Sequence, residues 1–190
     1  MHFIHSFLTF LTLISVTLTQ STLNGIGSTP MQRHYINADQ ATAVIAAARA
    51  SAASISVPQN IAVVDPSGLL VGFLRMDNAY PGSIDISMKK ARTSVLFNGI
   101  PSSGLFNSSM PGMALYGIEE TNGGLVVFGG GLPIYQDGEL LSIVLLSFAE
   151  TDPPAGYLIG AVGVSGGTVP QDVEVAAAGV AAISNTTDTN

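Results

Sequence analysis

The stretch Met76–Phe97 constrains the fold most, because it combines a turn with a helix that has one apolar face. The turn lies at Asn78–Gly82. Ser83 follows it, with a hydroxyl suited to cap a helix, and Asp85 complements the positive end of the helix dipole. The apolar positions at helical spacing are Ile84, Met88, Ala91 and Val95. The pattern therefore predicts a helix with one buried face, against which a compact domain packs.

Basic residues are scarce, and four of the six lie in or beside this helix: Arg75, Lys89, Lys90 and Arg92. The net charge of −7 argues against nucleic-acid binding, which needs clustered positive charge. Charged residues make up only 10% of the chain, and 21 residues are glycine. Few charges and many small residues indicate more buried surface than one domain core provides, so we expect a homo-oligomer.

The N-terminus predicts a secreted protein. Phe3–Leu18 has the length of a signal-peptide core and is short for a membrane span. We therefore predict a signal peptide over residues 1–20, a tail over 21–36 and no membrane contact after cleavage; an uncleaved interfacial anchor is the alternative. Asn107 and Asn185 lie in glycosylation sequons. The chain has no cysteine, which excludes disulfides and thiolate metal sites.

The rest of the chain alternates helices and strands, which predicts an α+β domain with helices packed on an antiparallel sheet. Asn37 and Gln40 form a capping-box pattern for a helix that ends near Ser54, and Thr168 and Gln171 do the same for the last helix. That last helix has a predicted buried stripe at Val175, Gly179, Val180 and Ile183. The predicted strands are Ile61–Val64, Leu69–Leu74, Leu125–Phe128, Leu140–Phe148 and Tyr157–Val164, with an Asp-Gly hairpin at Gln136–Glu139 and a disordered tail at 185–190.

An ordered set of short motifs resembles the haem-binding HbpS/GlcG family, which also occurs as the C-terminal domain of some PduO-type proteins. The motifs are Ala62–Gly68, Arg75–Asp77, Ser83–Ile86, Lys90–Thr93, Gly130–Ile134 and Ile159–Thr168. The resemblance implies one domain over residues 37–184, a compact profilin-like sandwich that assembles into dimers and higher oligomers. It also implies that haem is a possible cofactor, since some members are secreted and bind haem or iron.

One segment departs from the family pattern. Family members pass almost directly from the Asp-Gly turn to the Ile-Gly-Ala-Val-Gly-Val motif, whereas residues 141–158 are inserted here. Two explanations are open: an extra or longer hairpin, or a translated intron left in the gene model.

A haem ligand needs an axial side chain such as His, Met or Tyr. His34 is the only histidine after the predicted signal peptide, and it is the first candidate. Met76, Tyr80 and Tyr116 are alternatives, although each is equally suited to a core or rim position. With scattered carboxylates and no His pair at i, i+4, the sequence predicts no metal site.

Arg75, Lys90 and Arg92 are candidates to bind an acidic ligand such as a haem propionate. The alternative is that these cations pair with Asp65, Asp77 or Asp85 and hold the hairpin against the helix. The run Gly129–Gly131 serves either close approach to a ligand or tight packing. It is not a phosphate loop, because no Lys-Ser/Thr follows it.

The sequence Gly163–Gly167 matches the G-x-S-x-G pattern of hydrolases and precedes a predicted helix. No histidine follows it to complete a triad in the usual order, so a tight strand-to-helix turn is the preferred interpretation.

Three functional hypotheses follow. The first is a secreted, oligomeric protein that binds a small ligand, namely haem or a haem-like acidic aromatic molecule. The second is a cofactor-independent enzyme of the isomerase or cyclase type, with Arg75, Asp77, Tyr80 and Lys90 as acid–base and electrostatic groups. The third is a purely structural assembly protein.

Overall fold

The structure is a computed structural model that describes residues 34–136 and 157–184. Within these residues the helices are α1 (Ala38–Ser54), α2 (Ser83–Leu96), α3 (Phe106–Ser109) and α4 (Val169–Ser184). Two 3₁₀ turns lie at Ser102–Leu105 and Ile118–Glu120. The strands are β1 (Asn60–Val64), β2 (Leu70–Arg75), β3 (Gly131–Gln136) and β4 (Tyr157–Ser165).

The four strands form one antiparallel sheet in the order β2-β1-β4-β3. The predicted β1–β2 hairpin is confirmed, and Pro133 lies on the edge strand β3, where its missing N–H is tolerated. Helices cover both faces, so the predicted α+β single-domain sandwich is confirmed. We name the two ends of the sheet after the central strand β4: the Tyr157 end and the Ser165 end.

Helices α1 and α4 pack together on one face of the sheet. The predicted capping box starts α1: Gln40 N donates to Asn37 Oδ1 at 2.8 Å, and Asn37 N donates to Gln40 Oε1 at 2.9 Å. The buried residues of the two helices include Ala41, Val44, Ala48 and Ala52 together with Val175, Val180 and Ile183. Ile36, which the sequence analysis placed in the tail, is also buried, and its N–H donates to Ile159 O.

Helix α2 covers the opposite face, but only half of its predicted apolar stripe is buried. Ala91 and Val95 are buried, whereas Ile84 and Met88 are half-buried. Small polar side chains and one lysine make up most of the rest of the buried face: Ser83, Ser87, Lys90, Thr93 and Ser94. The reason is Gly163 on β4, where a Cβ would collide with the backbone of α2. Because helix and strand touch at their backbones, small residues fill the contact.

Two local predictions are wrong. Ser83 is the first residue of α2 rather than its cap; Gly82 is the N-cap, and the helix start has no side-chain cap. Leu125–Phe128 is buried over its first three residues but is not a strand. The Val126 N–H instead donates to Thr93 Oγ1 on α2, and the strand begins only at Gly131.

Several predictions lie outside the described residues: the signal peptide, most of the tail over 21–36, most of the Asp-Gly hairpin, the strand Leu140–Phe148, nearly all of the insertion at 141–158 and the tail at 185–190. Among the residues described, no helix has both the length and the apolar character that a membrane span requires.

Candidate functional site

Lys90 is the best-defined polar site of the described domain. Its side chain starts on α2 and is fully buried. The ammonium donates to Val164 O at 2.9 Å and forms an ion pair with Asp172 Oδ2 at 2.7 Å. It also lies 4.8 Å from the centre of the Phe128 ring, in cation–π contact. The lysine therefore connects α2 and β4 to α4, the helix on the other face of the sheet.

Asp172 is held from its other side by the turn that leads into α4. Its Oδ1 accepts from Gly167 N at 2.9 Å, and its own N–H donates to Thr168 O. Gln171 accepts from the Thr168 N–H at 2.9 Å, which is one half of the predicted capping box. The turn therefore orients the carboxylate of Asp172 independently of its contact with Lys90.

The glycine run Gly129–Gly131 makes room for this ion pair. Gly130 has φ +116°, and a Cβ on it would lie 2.7 Å from Lys90 Nζ and 2.9 Å from Asp172 Cβ. A Cβ on Gly131 would collide with the backbone carbonyl of Lys90. Of the two roles left open for the run, tight packing is the one that the structure shows.

Burial lowers the pKa of Lys90 below 10.5, and the hydrogen bond and charge of Asp172 oppose that shift. With two hydrogen bonds and an aromatic contact, the ammonium is satisfied inside the chain. An acidic ligand would have to displace Asp172 or Phe128 to reach it.

Arg75, Asp77 and Tyr80 lie at the Ser165 end of the sheet. In the register of the sheet, Arg75 on β2 lies opposite Asn60 on β1, and Asn60 lies opposite Ser165 on β4. All three side chains are exposed, and the backbone oxygen of Tyr80 accepts from Asn60 Nδ2 at 3.0 Å. Since Lys90 is enclosed, the four proposed acid–base residues do not share one exposed site. Their catalytic role stays a prediction.

For Lys90, the proposed pairing with Asp65, Asp77 or Asp85 is wrong. Lys90 pairs with Asp172 instead, and Asp85 pairs with Lys89 at 2.8 Å, as i, i+4 neighbours on α2. Asp65 accepts from two backbone N–H groups of the hairpin turn. Arg92 donates to Asn122 O at 3.2 Å.

His34 lies at the Tyr157 end of the sheet. Its exposed ring is 4.0 Å from the ring of Tyr157, centre to centre. Strand β4 is nine residues long, so its Tyr157 end and its Ser165 end are roughly 26 Å apart. His34 and Arg75 therefore cannot contact the same small molecule in one copy of the chain.

The other candidate axial ligands are dispersed. Met76 is half-buried, and its Sδ accepts from Gln59 N at 3.4 Å, whereas Tyr80 and Tyr116 are exposed. In the part of the chain that the structure covers, no group of three His, Cys, Asp or Glu side chains could hold a metal ion.

Ser165 ends β4 in a strand-to-helix turn, as the preferred interpretation of G-x-S-x-G requires. The serine is buried, and its backbone pairs with Asn60. His34, the one histidine among the described residues, is at the opposite end of the strand and cannot act as its base. Of the two sequons, Asn107 is exposed on α3, whereas Asn185 lies beyond the described chain.

Sequence reasoning missed Asp172 as the partner of Lys90. The two residues are 82 positions apart, and each carries a local signal for something else: a basic helix for Lys90 and a helix start for Asp172. No local pattern marked the pair, because Lys90 lies between Lys89 and Arg92 in a cluster of cations that is typical of a solvent-exposed helix face.

These features define an α+β sandwich with helices on both faces of a four-stranded sheet, tied together by a buried ion pair. The model for the family described as haem-degrading protein HbpS-like matches residues 36–152, and the chain belongs to that family.

Relatives and solved structures agree with this assignment. The chain is 40% identical over 128 residues to an uncharacterised 15.0 kDa protein of Citrobacter freundii, covering 66% of this chain and 76% of the relative. It is 34% identical over 133 residues, or 70% of its length, to the corrinoid adenosyltransferase PduO of Citrobacter freundii, but spans only 34% of that protein. The crystal structure of a PduOC–haem complex is similar with a TM-score of 0.65 and 31% identity, covering 78% of this chain and 95% of the other.

Proposed function

We propose that this chain is a secreted, oligomeric protein that binds a small ligand, and that the ligand is haem or a haem-like acidic aromatic molecule. The observation that carries the proposal is the similarity to PduOC, whose structure was solved as a haem complex, within a family named for haem degradation. The apolar segment at residues 3–18 supports secretion.

Exposed apolar side chains support self-association. Five lie together in the segment around α3: Phe106, Met110, Met113, Leu115 and Tyr116. The segment is compact, since Leu115 N donates to Ser108 O and Tyr116 N donates to Met113 O. Such a patch on a domain with little charge is typical of a protein–protein contact.

Within this proposal His34 is the axial ligand, because it is exposed and lies beside an aromatic ring at the end of the sheet. Haemin titration of the mature chain tests the proposal. We expect a sharp Soret band with saturable binding, which weakens at least tenfold in His34→Ala and returns when free imidazole is added.

Arg49→Ala removes another exposed cation, on α1, and is the matched control for Arg75→Ala. If His34 holds the iron, Arg75→Ala should bind haemin like the wild type, because it lies at the other end of the sheet. A wild-type protein without a Soret shift would refute haem binding, whereas an unchanged His34→Ala would refute only the assigned ligand.

A further inference from the structure

Two neighbouring residues at the start of β1 bury polar atoms that have no hydrogen-bond partner in the described part of the chain. Gln59 and Asn60 are both fully buried. The unpaired atoms are Gln59 Nε2, Gln59 Oε1 and Asn60 Oδ1. Folded proteins pair the large majority of buried polar atoms with protein groups or with ordered water. An amide with both ends unpaired therefore marks a binding position.

The position is next to the turn between β4 and α4. A Cβ on Gly166 would lie 2.8 Å from Gln59 Oε1, so the amide lies directly beside the turn backbone. Gln59 is held in place at its own backbone, since its N–H donates to Met76 Sδ and its oxygen accepts from Met76 N at 3.0 Å. The side chain therefore cannot leave the interior by a shift of the strand.

We propose that an internal water molecule binds the side-chain amide of Gln59 beside the Ser165–Gly167 turn. The occupant has to accept from Nε2 and donate to Oε1, and water does both. A second protein chain or a ligand from solvent is excluded because Gln59 has no accessible surface. An ion is unfavourable at a neutral amide, because no opposite charge there would compensate for its lost hydration.

The water has a structural role in the site described above. Gly167 of the same turn donates to Asp172 Oδ1, and Asp172 in turn binds Lys90. A water molecule that bridges Gln59 to the turn backbone fixes the turn that orients this carboxylate. Gln59 is thus a positioning residue for the buried ion pair.

Water–protein NOE spectroscopy on the ¹⁵N-labelled full chain tests the proposal. We expect a direct NOE from water to the Gln59 side-chain amide protons, and its loss in Gln59→Met. The Gly167 amide resonance should shift in the same variant, because its turn has lost a bridge. Gln136→Met is the control: its half-buried amide already accepts from Gln40 Nε2, so the variant should leave the water signal and the Gly167 resonance unchanged.

The wild-type spectrum alone decides the main point, even if Gln59→Met folds poorly. A Gln59 side-chain amide without any water NOE would overturn the proposal. So would a folded Gln59→Met with an unchanged Gly167 resonance and a raised unfolding temperature, because that result describes an amide that is simply unsatisfied.

Discussion

At the scale of single residues, the most important contact is the buried ion pair between Lys90 of α2 and Asp172 of α4, which lie in different layers of the sandwich. Lys90 brings a positive charge into the interior, and Asp172, Val164 O and Phe128 together compensate for its lost hydration. Such a pair adds little net stability compared with apolar residues, but removal of one partner leaves an uncompensated buried charge. We therefore expect the pair to fix the placement of α2 against α4 more than it adds to stability.

Lys90→Met should lower the free energy of unfolding by about 3–5 kcal/mol, because Asp172 then stays buried without a counter-ion. The double variant Lys90→Met/Asp172→Asn should recover part of this loss, since Asn still accepts from Gly167 N. Urea denaturation of the four proteins of the cycle measures the coupling. Lys89→Met, which removes the partly exposed pair with Asp85, should cost no more than about 0.5 kcal/mol; equal losses at positions 89 and 90 would contradict this account.

Tyr135 gives a pH prediction. Burial raises the pKa of its hydroxyl from 10.0 to about 12, and the hydroxyl donates to Gly99 O at 3.3 Å. Between these two pKa values the unfolded chain loses the proton while the folded chain keeps it. The free energy of unfolding should therefore fall by about 1.4 kcal/mol per pH unit between pH 10 and about pH 12.

The measurement is alkaline unfolding of the wild type against Tyr135→Phe, followed with the phenolate absorbance. In Tyr135→Phe, the free energy of unfolding should no longer show the pH dependence that Tyr135 contributes. The phenolate signal that appears near pH 12 in the wild type should be absent. A Tyr135 that titrates with the exposed tyrosines would mean that its site is open to solvent.

At the scale of elements, α2 lies close to the sheet because two glycines, one on β4 and one on β3, remove side chains from the contact. A Cβ on Gly163 of β4 would collide with Ser87 O, and one on Gly131 of β3 would collide with Lys90 O. This explains why the buried face of α2 has only Ala91 and Val95 from the apolar stripe and otherwise consists of serines, a threonine and a lysine stem. The helix approaches too closely for larger side chains.

Gly163→Ala should destabilise the domain by about 2–4 kcal/mol, since neither backbone can yield without a shift of α2. Gly82→Ala is the matched control: it precedes the same helix, has φ −64°, and nothing lies within 4 Å of its added Cβ. We expect that variant to be neutral or slightly stabilising. Equal thermal shifts in the two variants would show that the close contact does not exist.

At the scale of the whole molecule, the register of β3 and β4 predicts whether the domain needs the insertion at residues 141–158 to fold. Gln136 pairs directly with Tyr157, and Tyr135 pairs with Leu158, which is buried. Without residues 141–158, Glu139 and Leu140 would occupy the positions of Tyr157 and Leu158. Asp137 and Gly138 would then form the two-residue turn that suits an Asp-Gly pair. A shorter chain therefore keeps a leucine at the buried position.

We expect deletion of residues 141–158 to leave the fold intact, with a gain of up to about 2 kcal/mol from the shorter connection. Circular dichroism and urea unfolding measure this. Deletion of 141–159 is the control: one residue more moves Glu139 to the buried position opposite Tyr135, so the variant should be strongly destabilised. If the first deletion unfolds the chain, the insertion is part of the domain.

The local part of the structure was predictable from the sequence, because its signals lie within one turn or one strand. The capping box of α1, the β1–β2 hairpin, strand β4 and the buried stripe of α4 all follow from neighbouring residues. The candidate site was less predictable: Arg75, Asp77 and Tyr80 lie at one end of the sheet, His34 lies at the other, and Lys90 is enclosed between the layers.

The sequence by itself determined most of the elements and the α+β class, because hydrophobic period, caps and turn residues act over a few positions. Only the tertiary structure decided which face of α2 is buried and that Lys90 pairs with Asp172. It also decided that the side-chain amide of Gln59 is buried without a partner among the described residues. These facts depend on how closely β4 and α2 approach and on a contact across 82 residues, and no periodicity in the chain encodes either distance.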